Sequence, residues 1–436
     1  MLPLDPLPPS FDDHRAHLAA LRAAALAAAD PAQAVRRWLL PADLAGVERV
    51  YLVALGKAGV GMTLAAAALL GPRLAAGVAA VPRLPDVAAG PLPQRVTFIE
   101  GGHPEPTAGS LTAGRAVEAL LSAVTAQDLV LVLISGGGSA LLELPRAGIS
   151  LAELKGATAV LLKSGAPIQE FNRVRTQLSQ LKGGGLARLA SPARVLGLVL
   201  SDVVGSPLSA VASGPTVLNP PDSGAALAVV ERYGLRNKLP ASVVQAMQHG
   251  TSPLSGAPPR VQNRLIGSNQ QAGEAAVAAA AKLGFAAELL GDDWQGEARQ
   301  MGQRFARHLL AAASASGRLR GAPVCLVAGG ESTVTVHGRG RGGRNQEAAL
   351  AAGLALDGQA GLVISTFATD GVDGPTDAAG ATVTGDSLPH ARALELDAEH
   401  YLNENDSYNF FSQAGGLVIT GPTGTNVNDL MFGLAY

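Results

Sequence analysis

Three short apolar runs in the first half of the chain each stop at a turn built of glycine or serine, and this punctuation narrows the architectures open to it. The runs are Val50-Tyr-Leu-Val-Ala-Leu55 before Gly56, Leu129-Val-Leu-Val-Leu-Ile134 before Ser135-Gly-Gly-Gly-Ser139, and Arg194-Val-Leu-Gly-Leu-Val-Leu200 before Ser201-Asp202. An alanine-rich helical stretch from Gly61 to Leu70 follows the first, and Asp12 to Leu40 reads as helix with a break at Asp30-Pro31. Continuous apolar strands alternating with helices predict a parallel sheet covered on both faces.

The 436 residues, 47% of them apolar, suffice for two domains. Between about Asn237 and Pro259 the pattern gives way to Pro240, His249-Gly-Thr-Ser-Pro253 and Ser255-Gly-Ala-Pro-Pro259, which reads as a linker. The expected division is therefore residues 1–250 and 260–436. The second part restarts at Arg264-Leu-Ile266, with helices over Gln271 to Leu283 and Gln295 to Ala313. Strands are expected at Val324 to Ala328, Val334 to Val336, Leu362 to Phe367 and Leu417 to Ile419, without a fixed-period repeat.

A formal net charge of -2 and the lack of a long basic run argue against a nucleic-acid partner, which needs clustered Lys and Arg. No stretch approaches the roughly 18 apolar residues of a membrane span, and the first residues lack the features of a signal peptide. The single cysteine, Cys325, cannot form an internal disulfide, which suits the cytoplasm. The oligomeric state is left open, a homo-oligomer included.

In open parallel sheets ligands bind beyond the carboxyl ends of the strands, so the residues that follow the apolar runs are the first candidates. Lys57 would offer an ammonium beside a helix start, or be a solvated surface lysine. Ser135, Gly136, Gly137, Gly138 and Ser139 can form an anion nest, or simply a tight turn. Lys182 precedes Gly183-Gly-Gly185 and follows Arg173 and Arg175; it is a second cation beside a glycine run, or the end of a helix. Asp202 could hold a metal, accept the proton of an attacking hydroxyl, or cap a helix. In the second half Gly329-Gly-Glu-Ser-Thr333 is followed by Gly338-Arg-Gly-Arg-Gly-Gly-Arg344, where arginines among glycines could reach phosphate. Asp370, Asp373 and Asp377 offer oxygen ligands to a hard cation such as Mg²⁺, although their spacing is not that of an EF-hand. No histidine pair has zinc spacing, and no convincing dinucleotide fingerprint is present. Phosphoryl transfer fits these pieces best.

The ordered motifs resemble the glycerate 2-kinase family, whose C-terminal part is known as the MOFRL domain. The matching stretches are Ala54-Leu-Gly-Lys-Ala58, Gly101-Gly-His-Pro104, Ser135-Gly-Gly-Gly-Ser-Ala140, Asn172-Arg-Val-Arg175, Lys182-Gly-Gly184, Ser201-Asp-Val203, Ser213-Gly-Pro-Thr216, Gly343-Arg-Asn-Gln-Glu347, Thr369-Asp-Gly371, Asp373-Gly-Pro-Thr-Asp377 and Gly424-Thr-Asn-Val-Asn-Asp-Leu430. The resemblance implies an α/β protein: a Rossmann-like parallel-sheet N-terminal domain, a smaller C-terminal α/β (MOFRL) domain, and a cleft between them for the active site. It also implies ATP-dependent phosphorylation of D-glycerate, usually on the 2-hydroxyl, with a divalent metal. The family's proposed catalytic lysine and aspartate match Lys57 and Asp202. Arg175, Lys182, Glu331, Arg344 and Asn345 join the Ser135 to Ser139 loop as substrate- or phosphate-binding candidates, and Asp202, Asp370 and Asp373 are the metal candidates. Two departures stand out: Arg175-Thr-Gln177 where the family often has Arg-Lys-His, and Ser206 where an acidic residue often follows. The rival readings are a hydroxypyruvate reductase-type oxidoreductase and a non-catalytic nucleotide-binding sensor.

Overall fold

The computed structural model describes residues 9–86, 90–219, 222–249, 258–319 and 323–436. Two compact units emerge: Pro31–Ile266, and the residues up to Asp30 together with Gly267–Tyr436.

The Pro31–Ile266 unit is built on six strands, β1 (Val50–Leu55), β2 (Leu74–Val81), β3 (Val96–Glu100), β4 (Leu129–Ile134), β5 (Arg194–Leu200) and β6 (Arg260–Gly267), in the order β3-β2-β1-β4-β5-β6. The first five pair in parallel. Their side chains alternate between two cores. Val53, Leu55, Val130, Val132 and Ile134 pack into one, while Leu52, Ala54, Leu129, Leu131 and Leu133 pack into the other. A sheet buried on both faces is what the unbroken apolar runs predict, and every residue of β1 and β4 is buried. In register, Leu55 lies opposite Ile134 and Ala80, and Ile134 opposite Val199. The carboxyl ends of β1, β4 and β5 therefore stop at one edge, and β1 and β4 flank the point where the strand order reverses.

The other unit carries β7 (Ala286–Leu289), β8 (Trp294–Glu297), β9 (Val324–Thr333), β10 (Leu362–Ala368), β11 (Gly380–Thr384), β12 (Leu417–Val418) and β13 (Asp429–Ala435). Their order is β12-β11-β10-β13-β9-β7, with β8 also on β9. β7 and β8 run parallel to β9, whereas β9, β13, β10, β11 and β12 pair antiparallel. The sheet packs on helices Ala298–Leu319 and Arg344–Leu356 through Phe305, Leu309, Leu350 and Ala351. Val334 to Val336 is not a strand: β9 runs from Val324 to Thr333 and ends there.

The division of the chain differs from the expected one at both ends of the first domain. Helix His14–Ala29 belongs to the second unit, where Leu18, Leu21 and Ala25 are buried and the helix packs on Asn269–Lys282. Its last carbonyl, of Ala29, accepts from Thr425 Oγ1 at 2.6 Å, and His17 meets Tyr436 Oη at 2.9 Å. The break at Asp30-Pro31 is real: a second helix runs over Pro31–Trp38. At the other end, Ala241–His249 is a helix whose Val243, Val244 and Met247 are buried, so this part of the expected linker is packed structure. Residues 250–257 of that stretch lie outside the described residues. β6 then returns to the first sheet, where Arg264 forks onto both oxygens of Asp43, each at 2.6 Å. Among the described residues no helix is long and apolar enough to cross a membrane.

Candidate active site

The common edge of β1, β4 and β5 brings together the residues that follow each strand. The backbone N–H of Lys57 donates to Gly136 O at 2.8 Å, and that of Ala58 to Ser135 Oγ at 3.1 Å, so the turn after β1 is fastened to the loop after β4. Asp202, after β5, lies against the same loop: a Cβ on Gly136 would collide with the Asp202 carboxylate. Gly136 thus permits the approach of an acid that any larger residue would displace. Gly137 has φ +80°, a left-handed conformation that suits glycine, and starts the short helix Gly138–Leu141. Lys57 is exposed and Asp202 half-buried, so both are reachable from solvent. No helix starts directly after Asp202, so its capping alternative falls away.

A further side chain joins them. The His103 ring lies at Gly137, its Cδ2 2.8 Å and Nε2 3.1 Å from where a Cβ would stand, with Lys57 Cγ at 3.4 Å from the same point. Partial burial and the neighbouring Lys57 ammonium both hold the imidazole pKa below its ordinary value, which favours a neutral ring at pH 7. His103 was legible only as part of Gly101-Gly-His-Pro104, without a role. It follows β3, a strand the apolar-run reading missed, and that position after a strand end was the available signal.

Lys182 and Arg175 sit behind this loop. Lys182 is about 2% exposed and ion-paired with Glu143, itself 1% exposed, so its ammonium does not face a ligand. Burial pushes the Lys182 pKa down to about 8 against the pull of Glu143. Arg175 donates to Ser139 O at 3.2 Å and also feels Glu143. The pair and Arg175 brace the loop, which corrects the expectation of direct anion binding for Lys182. Ser139 Oγ is 2.8 Å from Ser213 Oγ, which ties the loop to the Ser213-Gly-Pro-Thr216 segment.

The second unit assembles its own charged cluster. Arg344, first residue of helix Arg344–Leu356, lies 2.9 Å from Glu331 Oε1 on β9 and 2.6 Å from Asp429 Oδ2 on β13. Burial opposes charge on Arg344, but Asp429 and Glu331 raise its pKa. Burial pushes Asp429 up to about 6. Asp429 had been no more than a letter in a matching stretch. Asp373 is 1% exposed, and its two oxygens accept from the backbone N–H groups of Asn345 at 3.0 Å and Gln346 at 2.9 Å. It therefore satisfies the open amides of that helix start, a structural task in place of the metal binding expected of it. Asn345 is buried with it, its side-chain amide 3.4 Å from Asp373 Oδ1. Asp370 is half-buried and accepts from Val372 N at 3.1 Å, closing a local turn. Among the described residues no group of three or more His, Cys, Asp or Glu side chains is placed to hold a metal ion.

The glycines of Gly338 to Gly343 serve packing. Added Cβ atoms on Gly338 and Gly340 would strike the backbone of Glu404 and Asp406, and one on Gly342 would strike Ser407. Arg341 lies over the Tyr408 ring, 4.3 Å from its centroid, and donates to Pro375 O at 3.1 Å. This segment follows β9 and precedes a helix, but its glycines meet protein where a dinucleotide turn would meet a pyrophosphate.

Comparison with known proteins identifies the family. Residues 17–248 match the family model described as a domain of unknown function (DUF4147), and residues 324–429 match the MOFRL family. A D-glycerate 2-kinase of Thermotoga maritima is 42% identical over 405 residues, which cover 93% of this chain and 94% of that protein. The chain belongs to the glycerate 2-kinase family. A crystal structure of glycerate kinase from Thermotoga maritima superposes with a TM-score of 0.90 at 40% identity, covering 98% of this chain and all of the other. A relative from Agrobacterium vitis that carries a provisional hydroxypyruvate reductase name is 40% identical and covers 93% of this chain and 91% of its own length.

Proposed function

We propose that this chain transfers the γ-phosphoryl group of ATP to the 2-hydroxyl of D-glycerate, giving 2-phosphoglycerate and ADP. The observation that carries the reading is the convergence of Lys57, His103 and Asp202 on the Gly136-Gly137 turn at the carboxyl edge of the parallel sheet. In the reaction the glycerate oxygen attacks the γ-phosphorus, the bond from that phosphorus to the β,γ-bridging oxygen breaks, and the hydroxyl proton goes to Asp202 or to solvent. Lys57 offsets the charge spread over the transferred group, as positioned cations do in phosphoryl transfer. Mg²⁺ is bound in such sites by one or two carboxylates plus substrate phosphates, and the half-exposed Asp202 beside a glycine loop fits that donor set, whereas the buried Asp373 does not. When bound, the ion neutralises phosphate charge. The single cysteine, Cys325, is fully buried and its thiol is pushed up to about 12 by burial, so it stays protonated, in keeping with a cytoplasmic location.

The test is incubation of the purified protein with D-glycerate, ATP and Mg²⁺, reading the product by phosphorus NMR, with NADH and hydroxypyruvate in a parallel reaction. A 2-phosphoglycerate signal is expected. NADH consumption without a phosphorylated product would return the reductase reading, and ATP binding without glycerate-dependent turnover would favour a sensor.

A further inference from the structure

The second unit contains a cavity of about 710 Å³ that takes no part in the site above. It is bounded by helix His14–Ala29, the end of β11, helix Ser387–Ala393 and the Gly415 to Thr420 segment. Its volume is in the range of small-molecule sites, about 300–1,000 Å³. Arg22 on the helix is half-buried, and its one hydrogen bond among the described residues is a long 3.4 Å contact to Ser365 Oγ. No described carboxylate forms an ion pair with it, and burial alone pulls its pKa below the ordinary value. A guanidinium held partly out of water without a counter-ion is costly unless an anion completes it. Arg15 stands about two helical turns away on the same wall, and the cavity's one described carboxylate is Asp386. The hydroxyls of Thr384 and Ser387 add hydrogen-bonding capacity, that of Thr382 being given to Ser365 Oγ at 2.8 Å, while Phe11 and the exposed Ile419 supply an apolar rim.

We propose that this cavity binds a small organic anion, a phosphate or carboxylate attached to a compact apolar body, with Arg22 as the anion contact. The charge comes from Arg22 and Arg15, the orientation from the threonine and serine hydroxyls, and the preference for an apolar body from Phe11 and Ile419. Neither the kinase reaction nor its candidate residues enter this site, so the proposal stands apart from the proposed function.

The test uses the full chain at pH 7 and low salt, titrated by calorimetry with phenyl phosphate, benzoate and inorganic phosphate. Phenyl phosphate or benzoate is expected to bind more tightly than inorganic phosphate, and the stronger of the two identifies the anionic group. Arg22→Gln should weaken that binding at least tenfold, whereas Lys57→Ala should leave it unchanged. Ring resonances of His390, which lines the cavity, should shift on titration of the unmodified protein, a readout that needs no variant to fold. Equal binding by Arg22→Gln, loss of binding in Lys57→Ala, an unshifted His390, or no binding by either organic anion would overturn the proposal.

Discussion

Lys57 and Asp202 approach one turn from two strand ends, and their separate removal measures what each contributes. Lys57→Ala is expected to lower kcat by about 10²–10³-fold, the usual cost of deleting one preorganised charge at a developing anion. Asp202→Asn should lower kcat with little change in the melting temperature. Full activity in both variants would remove them from the chemistry. His103 is the neighbour that reports the local field. Its imidazole proton NMR titration should give an apparent pKa below 6.5, and Lys57→Gln should move it upward by removing one of the two causes of the depression. An unchanged titration would mean that the ammonium does not face the ring. Asp429 offers a different test, because its folded carboxyl keeps its proton up to about pH 6 while an unfolded one releases it near 4. Between those values the folded state binds more protons, so the stability conferred by Asp429 falls as pH rises from about 4 to 6. Urea unfolding of wild type and Asp429→Asn across that window should show the difference narrowing or reversing as pH rises.

The loop after β4 is an element whose shape depends on charges it does not display. Lys182 and Glu143 are both buried, and Arg175 reaches from helix Ile168–Leu178 to the Ser139 carbonyl. Breaking such a pair strands a charge, so Lys182→Met alone is expected to cost about 3–5 kcal/mol in urea unfolding. Lys182→Met with Glu143→Leu should recover much of that loss, since two apolar groups can replace a buried pair. Equal destabilisation by the single and double variants would show that the pair is not coupled. At sequence level Lys182-Gly-Gly read as a cation beside a glycine run or as the end of a helix, because nothing local tells a buried lysine from a free one. Glu143, its partner 39 positions earlier, lies within the apolar Leu141-Leu-Glu-Leu144 run, where no local pattern marks it as the partner of a lysine. The alanine-rich β2 was equally silent, since alanine is depleted in strands and favoured in helices.

At the scale of the whole molecule, the chain begins in the unit where it ends. Helix His14–Ala29 covers Asn269–Lys282 and is joined by Thr425 and Tyr436. A chain starting at Pro31 is therefore expected to lose amide protection in β9, β10 and β13 while β1 and β4 keep theirs, as read by hydrogen exchange. Loss confined to β1 and β4 would contradict the division at Asp30.

The ends of β1, β4 and β5 and the family were written in the sequence, because apolar runs and glycine turns are local signals that need no partner to be read. Lys57, the Ser135 to Ser139 loop and Asp202 were singled out that way. What no local pattern carries is which charge meets which. Lys182 against Glu143, Asp373 at the start of the Arg344 helix, Arg344 against Asp429, and His103 at Gly137 all join positions 28 to 85 residues apart or neighbours across different strands. Only the folded backbone sets those distances, and with them whether a charged side chain is a ligand-binding group or a buried support.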